Sequence, residues 1–381
     1  MKFGTKAIHA GIHPDSTTGS VMTPIYQTST YAQTEPGVHK GYEYSRSQNP
    51  TRNALEKNLA ALENGKFGIT FGSGLAAIDA VMKLLSPGDE VISSNDLYGG
   101  SYRLFTKIFA NYGVKFVFVD MENISNIEHY ITPKTKLIWV ETPTNPTLRI
   151  IDIVGAAAIA KKYNCLLGVD STFASPYLQN PLDLGADIVM HSITKYIGGH
   201  SDVVMGALIC KCAELSKKLY FVQYASGAIP GPQDCFLVLR GIKTLHLRMQ
   251  RHCENGEKVA KYLKSNSKVD KLYWPGFATH TNHSIAKSQM RGFGGMISFT
   301  LREDKYDDAV KFFSNTQVIT LAESLGGVES LSNHPASMTH ASIPVEERLK
   351  NGITDSLIRL SIGVEDVDDL IDDLDQALAK I

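Results

Sequence analysis

Residues 165–191 read CLLGVDSTFASPYLQNPLDLGADIVMH, and the fold follows from them. Cys165–Asp170 and Asp187–His191 are apolar runs without polar alternation, the pattern of strands buried on both faces. They begin roughly 20 residues apart, the spacing of a strand, a crossover and a second, parallel strand. Similar runs recur on either side, at Gly68–Phe71, Glu90–Ser93, Lys115–Val119, Lys136–Glu141 and Gly206–Cys210. Segments of helical spacing lie between them, as where Leu104, Phe105, Ile108, Phe109 and Tyr112 fit one apolar face of a 3.6-residue repeat. The alternation predicts an α/β domain over residues 54–242, with a mostly parallel sheet of seven strands covered by helices on both faces.

The flanks differ in texture. Residues 1–53, with GIHPDSTTGSVMTPIYQTSTYAQTEPG at their centre, carry turn formers and hydroxyls but little periodicity, and read as an extended arm. Leu55, Leu59 and Leu62 then open a helix. Past residue 242 comes a long polar helical region around Lys243–Ser265, followed by shorter strands at Val269–Trp274, Met296–Leu301 and Leu357–Ile362. The end is an acidic amphipathic helix, with Val367, Leu370, Ile371, Leu374 and Leu378 on one face and Asp368, Asp369, Asp372, Asp373 and Asp375 outside. Residues 243–381 therefore read as a smaller C-terminal α+β domain.

Composition removes several classes of function. With 38 Lys+Arg against 39 Asp+Glu the chain has no basic excess for nucleic acid, and its 43% hydrophobic content excludes disorder. No apolar stretch approaches the ~20 residues that span a bilayer, and MKFGTKAIHAG does not have the form of a signal peptide. The expectation is a cytoplasmic protein that binds neither nucleic acid nor membrane. An odd number of cysteines, five, fits a reducing compartment better than a disulfide framework. The Cys210-Lys211-Cys212 pair lacks a second Cys or His pair nearby, so no metal is expected.

In an open parallel sheet, ligands bind beyond the carboxyl ends of the strands. Phe71-Gly72-Ser73-Gly74-Leu75-Ala76-Ala77 follows one strand and opens a helix, offering free backbone N–H groups to an anion. Gly72-x-Gly74-x-x-Ala77 also matches a dinucleotide fingerprint, but the acid that should close the next strand is missing: that strand ends in Ser93-Ser94-Asn95. After another strand, His191-Ser192-Ile193-Thr194-Lys195 sets two hydroxyls beside a lysine, an amine suited to a Schiff base with a carbonyl. The strand before it ends in Asp170-Ser171-Thr172, a carboxylate able to hold a protonated ring nitrogen. Tyr98, after a further strand, can stack on a ring. Phosphate cradle, lysine and carboxylate at strand ends together describe pyridoxal 5'-phosphate, whose protonated ring is an electron sink.

Five motifs carry a resemblance that covers essentially the whole chain: Gly41-Tyr42-Glu43-Tyr44-Ser45-Arg46 with Asn49-Pro50-Thr51-Arg52, then Gly72 to Ala77, Glu141-Thr142-Pro143-Thr144-Asn145-Pro146, His191 to Gly199, and Glu323-Ser324-Leu325-Gly326-Gly327. The sequence resembles the cystathionine γ-synthase and γ-lyase group of pyridoxal-phosphate enzymes, within the aspartate-aminotransferase fold type. One departure is Ser171, where many relatives have Asn. The resemblance implies that Lys195 carries the cofactor and moves protons between substrate carbons, and that Tyr98 stacks on the ring and assists proton transfer. It also implies that Asp170 pairs with the ring nitrogen and that Thr172 lies against the ring. Phosphate ligands would be Gly74, Leu75, Ser192 and Thr194, with Tyr44 and Arg46 reaching over from a neighbouring subunit. Arg359 would clamp the substrate α-carboxylate, a bidentate task that suits guanidinium, with Asn145 and Ser324 assisting.

Within the group, the distal end of the substrate must distinguish the reactions. Glu43 and Glu323 resemble the two glutamates that γ-lyases present to the far ammonium of cystathionine, with Arg103 orienting Glu323. Synthases more often carry Asp at the first position, a difference of one methylene. The plainer reading of Glu43 is a solvated loop acid. None of the cysteines falls in the five motifs, which argues against a methionine γ-lyase. The expectation is cleavage of a small amino-acid substrate, cystathionine, with γ-synthase or bifunctional activity as the alternative. The same resemblance implies a homotetramer, a dimer of dimers, with sites shared between subunits. A nicotinamide-dependent dehydrogenase and a silent binding protein are the rival classes.

Overall fold

The computed structural model describes residues 1–341 and 343–381. Seven strands form the larger sheet: β1 Phe67–Phe71, β2 Glu90–Ser94, β3 Lys115–Val119, β4 Thr135–Glu141, β5 Leu166–Asp170, β6 Ile188–Ser192 and β7 Gly206–Cys210. Their order is β1-β7-β6-β5-β4-β2-β3. Only β7 runs against its neighbours, pairing antiparallel with both β6 and β1, while the remaining pairs are parallel. The predicted mostly parallel α/β sheet is thus the one the chain forms. Ser94, Glu141, Asp170 and Ser192 close four strands that point the same way, so their side chains emerge along one edge.

Both faces of this sheet are dry, as unalternated apolar strands require. Ile92, Ile138, Val140, Leu167, Val169 and Val189 pack into one core, and Val91, Leu137, Trp139, Ile188 and Met190 into the other. Each such side chain contributes about 1.5–3 kcal/mol by leaving water. Helices α1 Phe3–His9, α2 Pro50–Leu62, α3 Gly74–Met82 and α4 Gly99–Lys107 come early in the chain. α2 starts where Asn49 Oδ1 accepts from the Thr51 and Arg52 N–H groups with Pro50 at the first helical position, and it buries Leu55, Leu59 and Leu62.

The second sheet contains β8 Val269–Tyr273, β9 Met296–Leu301, β10 Thr320–Leu321, β11 Leu331–Asn333 and β12 Ile358–Ser361, in the order β10-β11-β12-β9-β8. It packs with the long helix Leu245–Ser265 and the C-terminal helix Val367–Leu378 around Phe299, Phe312, Leu360, Leu370 and Leu374. No helix among the described residues is long and apolar enough to cross a membrane.

Three local expectations need correction. The arm is not wholly extended: residues 3–9 are helical, with Ala7 buried and Asn58 Nδ2 donating to the carbonyls of Lys6 and Ala10. The helix expected through Tyr112 stops at Lys107 and continues as a 3₁₀ turn, Phe109–Tyr112, closed by Gly113 in the left-handed region; Phe105 and Phe109 are buried but Ile108 and Tyr112 face solvent. Asp373 is buried rather than outside. Its carboxylate accepts from the N–H groups of Gln317, Val318 and Ile319, a tertiary role that helical periodicity cannot reveal.

Candidate active site

The strand ends open onto a cavity of about 350 Å³ between the two sheets. Most of the predicted residues line it: Gly74, Leu75, Tyr98, Asn145, Asp170, Thr172, Ser192, Thr194, Lys195, Glu323, Ser324 and Arg359.

One end is built for an anion. Ser73 Oγ caps α3 by accepting from the Ala76 N–H at 3.0 Å, and the N–H groups of Gly74 and Leu75 donate to no partner among the described residues. Those donors and the positive end of the helix face the cavity. A Cβ at Gly74 would lie 3.0 Å from Ser192 Oγ, so glycine lets the turn approach that hydroxyl closely. Thr194 Oγ1 is already engaged with the backbone of Met205.

The middle of the cavity holds a carboxylate, a lysine and an aromatic ring. Asp170 is 6% exposed, and its Oδ1 accepts from the Thr172 N–H at 3.0 Å and the Thr172 hydroxyl at 2.5 Å. Thr172 Oγ1 also accepts from the Ser192 N–H at 2.9 Å, tying the ends of β5 and β6 together. Asp170 Oδ2 has no partner among the described residues. Burial raises the pKa of Asp170, opposed by the Thr172 bonds and by the charges of His191 and Lys195. Lys195 Nζ donates to Ser324 Oγ at 3.0 Å. Burial, reinforced by the Arg359 charge, lowers its pKa from 10.5 to about 8. Tyr98 precedes α4 with its ring in the cavity wall, and Gly100 leaves room for that ring: a Cβ there would lie 2.3 Å from Tyr98 Cε1.

The other end is cationic. Arg359, on β12 and 2% exposed, donates from Nη1 to Asn145 Oδ1 and from Nη2 to the Ser324 carbonyl, each at 2.9 Å. Burial brings its pKa down to about 10, with Glu323 opposing. Ser324 reaches both Lys195 and Arg359 from a positive φ of 91°, a costly conformation for a residue with a side chain and one that recurs at functional sites.

Tyr44, Arg46, Glu43 and Arg103 are not in the cavity wall. Arg46 lies over the ring of Tyr224, 4.9 Å from its centroid, and Glu43 pairs with His39 at 2.8 Å on the exposed arm. Arg103 is exposed on α4, with no hydrogen bond to Glu323 among the described residues. Among the wall residues given no role in the sequence are Glu141 and Thr339. A charge closing the apolar strand before the Thr142–Pro146 turn was the available signal for Glu141; Thr339, in irregular chain, gave none. Burial and the neighbouring Asp170 push the Glu141 carboxyl well above its usual range, while the N–H groups of Tyr98 and Asn145 oppose the shift.

Comparison with known proteins agrees with this geometry. Residues 4–379 match the family model described as Cys/Met metabolism PLP-dependent enzyme. The chain is 51% identical over 380 residues to a cystathionine gamma-lyase of Dictyostelium discoideum, covering 100% of this chain and 98% of that one. It is 54% identical over 376 residues to a cystathionine beta-lyase of Coxiella burnetii (strain RSA 493 / Nine Mile phase I), covering 98% and 97%. The solved structure of a cystathionine gamma-lyase from Lactobacillus plantarum complexed with L-serine superposes with a TM-score of 0.98 at 50% identity, covering 100% of this chain and 99% of that one. The site fits the cofactor that the family name implies: free N–H donors for a phosphate, an oxygen of the Asp170 carboxylate without a partner among the described residues, and an amine of lowered pKa. The chain belongs to this family, and is a pyridoxal-phosphate-dependent enzyme of the carbon–sulfur lyase group.

Proposed function

We propose that this member of the Cys/Met metabolism PLP-dependent enzymes is a cystathionine γ-lyase, cleaving L-cystathionine to L-cysteine, 2-oxobutanoate and ammonia. The reading rests chiefly on Glu323, which lines the same cavity as Lys195 and Arg359. Cystathionine has an amino-acid group at each end; a guanidinium suits the near carboxylate, and an acid in the same cavity wall suits the far ammonium. Relatives bearing the γ-lyase name support the assignment, and others are named β-lyase. The two cleavages differ in which end of cystathionine enters first.

Lys195 would carry the cofactor, with Asp170 on its ring nitrogen, Thr172 and Tyr98 against the ring, and Gly74, Leu75, Ser192 and Thr194 on its phosphate. Bound there, pyridoxal phosphate supplies an electron sink that stabilises negative charge next to the substrate nitrogen. Arg359 and Asn145 hold the α-carboxylate, which leaves the substrate one orientation. Lys195 Nζ takes the proton from Cα, gives it up on the cofactor side of the substrate nitrogen and, neutral again, takes one from Cβ. A single base serves both because the two carbons are adjacent, and an amine with a pKa of about 8 can both accept and return protons near neutrality. Tyr98 assists these transfers, and Ser324 steadies the amine through its hydroxyl. The Cγ–S bond then breaks, cysteine leaves with the proton taken from Cβ on its sulfur, and water releases the rest as 2-oxobutanoate and ammonia.

The working unit we envisage is a homotetramer in which Tyr44, Arg46 and Glu43 of a second copy complete each site. Val21, Val204 and Phe221 are 80%, 61% and 65% exposed, apolar surface that a second copy would cover, and Val204 also lines the cavity. A reducing cytoplasm suits the five cysteines, all free. The test is a comparison of steady-state rates with L-cystathionine alone and with O-acetyl- or O-succinylhomoserine plus cysteine. The lyase rate should exceed the replacement rate; a lyase rate far below it would make the protein a γ-synthase.

A further inference from the structure

Glu141 has no part in the chemistry above, yet it lines the cavity and is only 4% exposed. Both of its carboxylate oxygens are engaged by backbone donors. The Tyr98 N–H donates to Oε2 and the Asn145 N–H to Oε1, each at 2.9 Å. These donors belong to different loops: Tyr98 follows β2 and opens α4, whereas Asn145 lies in the turn after β4, the adjacent strand. Asn145 in turn receives Arg359 Nη1 on its side chain, and His340 Nε2 lies 3.1 Å from its carbonyl.

We propose that Glu141 is a positioning residue that clips the loop carrying Tyr98 to the loop carrying Asn145, and through Asn145 sets the Arg359 guanidinium for the substrate carboxylate. The inference rests on reading Arg359 and Asn145 as the carboxylate clamp. The chemistry of the clip requires a carboxylate of this length. Two inward-facing N–H groups need two acceptor oxygens; a glutamine has one, and its NH₂ would oppose the second N–H. Aspartate keeps both oxygens but is one methylene too short to span both loops. A buried N–H left without its acceptor is costly, so losing one of these bonds should displace the loop it held.

The test uses the holoenzyme and its Glu141→Gln and Glu141→Asp variants, titrated with L-2-aminobutanoate, which has no leaving group, and with n-propylamine, the same chain without the carboxylate. Binding is read from the absorbance of the bound pyridoxal phosphate, and thermal stability is recorded alongside. Wild type should prefer the amino acid, and both variants should bind L-2-aminobutanoate about tenfold or more weakly while their affinity for n-propylamine falls far less. Equal losses for both ligands, or a drop in stability with wild-type affinities, would overturn the clip. So would wild-type affinity in Glu141→Asp, because the length of the side chain would then not matter; that variant carries the test if Glu141→Gln does not fold. A wild type that does not distinguish the two ligands would overturn the clamp reading itself, whichever bond of cystathionine the enzyme cleaves.

Discussion

Lys195 shows how much one side chain owes to its surroundings. An ordinary lysine at 10.5 leaves about 0.03% of its amine neutral at pH 7, whereas one at about 8 leaves about 10%. Burial supplies most of that gain, because the low-dielectric site disfavours the ammonium. Covalent capture of pyridoxal phosphate by the apoprotein should therefore accelerate as pH rises through about 8, with the neutral amine as the reacting form, and level off above it. Stopped-flow absorbance across pH 6–10 checks this; a rate still climbing steeply at pH 10 would mean that the amine is not depressed. The candidate site was legible in the sequence at Asp170 and Ser192, which close apolar strands, at Gly74, which opens a helix after one, and at Lys195 in the turn after β6, whereas Glu141, which also closes a strand, was passed over. Arg359 and Ser324 come from the second sheet, and local spacing alone could not bring them to the same cavity. They were found through the family resemblance.

At the scale of elements, Asp373 makes the clearest claim. Its carboxylate holds three consecutive N–H groups at the start of the segment leading to β10 and on to Glu323 and Ser324. Asp373→Ala leaves those donors without their charged acceptor and should cost about 3 kcal/mol. A urea melt measures it, and a loss below about 0.5 kcal/mol would mean that water replaces the carboxylate without penalty. The predicted strands of the first sheet match those formed to within about two residues, because continuous apolar runs bounded by turns leave few alternatives. β10 and β11 span only two and three residues, too short for any periodicity to show, and pairing with neighbours alone defines them. The Phe109–Tyr112 turn escaped notice for a related reason: its apolar spacing is helical, but exposed Ile108 and Tyr112 show that only part of that face has a core to meet.

For the whole molecule, the arm is the feature that one chain does not explain. Glu43, Tyr44 and Arg46 stand outside the cavity of their own subunit, which is what a site shared between copies requires. Mixing inactive Lys195→Met subunits with Arg46→Ala subunits should restore activity that neither parent has. An Arg46→Ala subunit keeps its own lysine and borrows an intact arm from the other. No recovery after dissociation and reassembly, in mixtures shown to contain hybrids, would mean that each chain works alone. The decisive question is still which bond of cystathionine breaks, since neighbouring relatives carry both lyase names. The most direct measurement is to supply pure enzyme with L-cystathionine and identify the keto acid and thiol by mass spectrometry. The expected products are 2-oxobutanoate and cysteine; pyruvate and homocysteine would contradict the γ-lyase assignment.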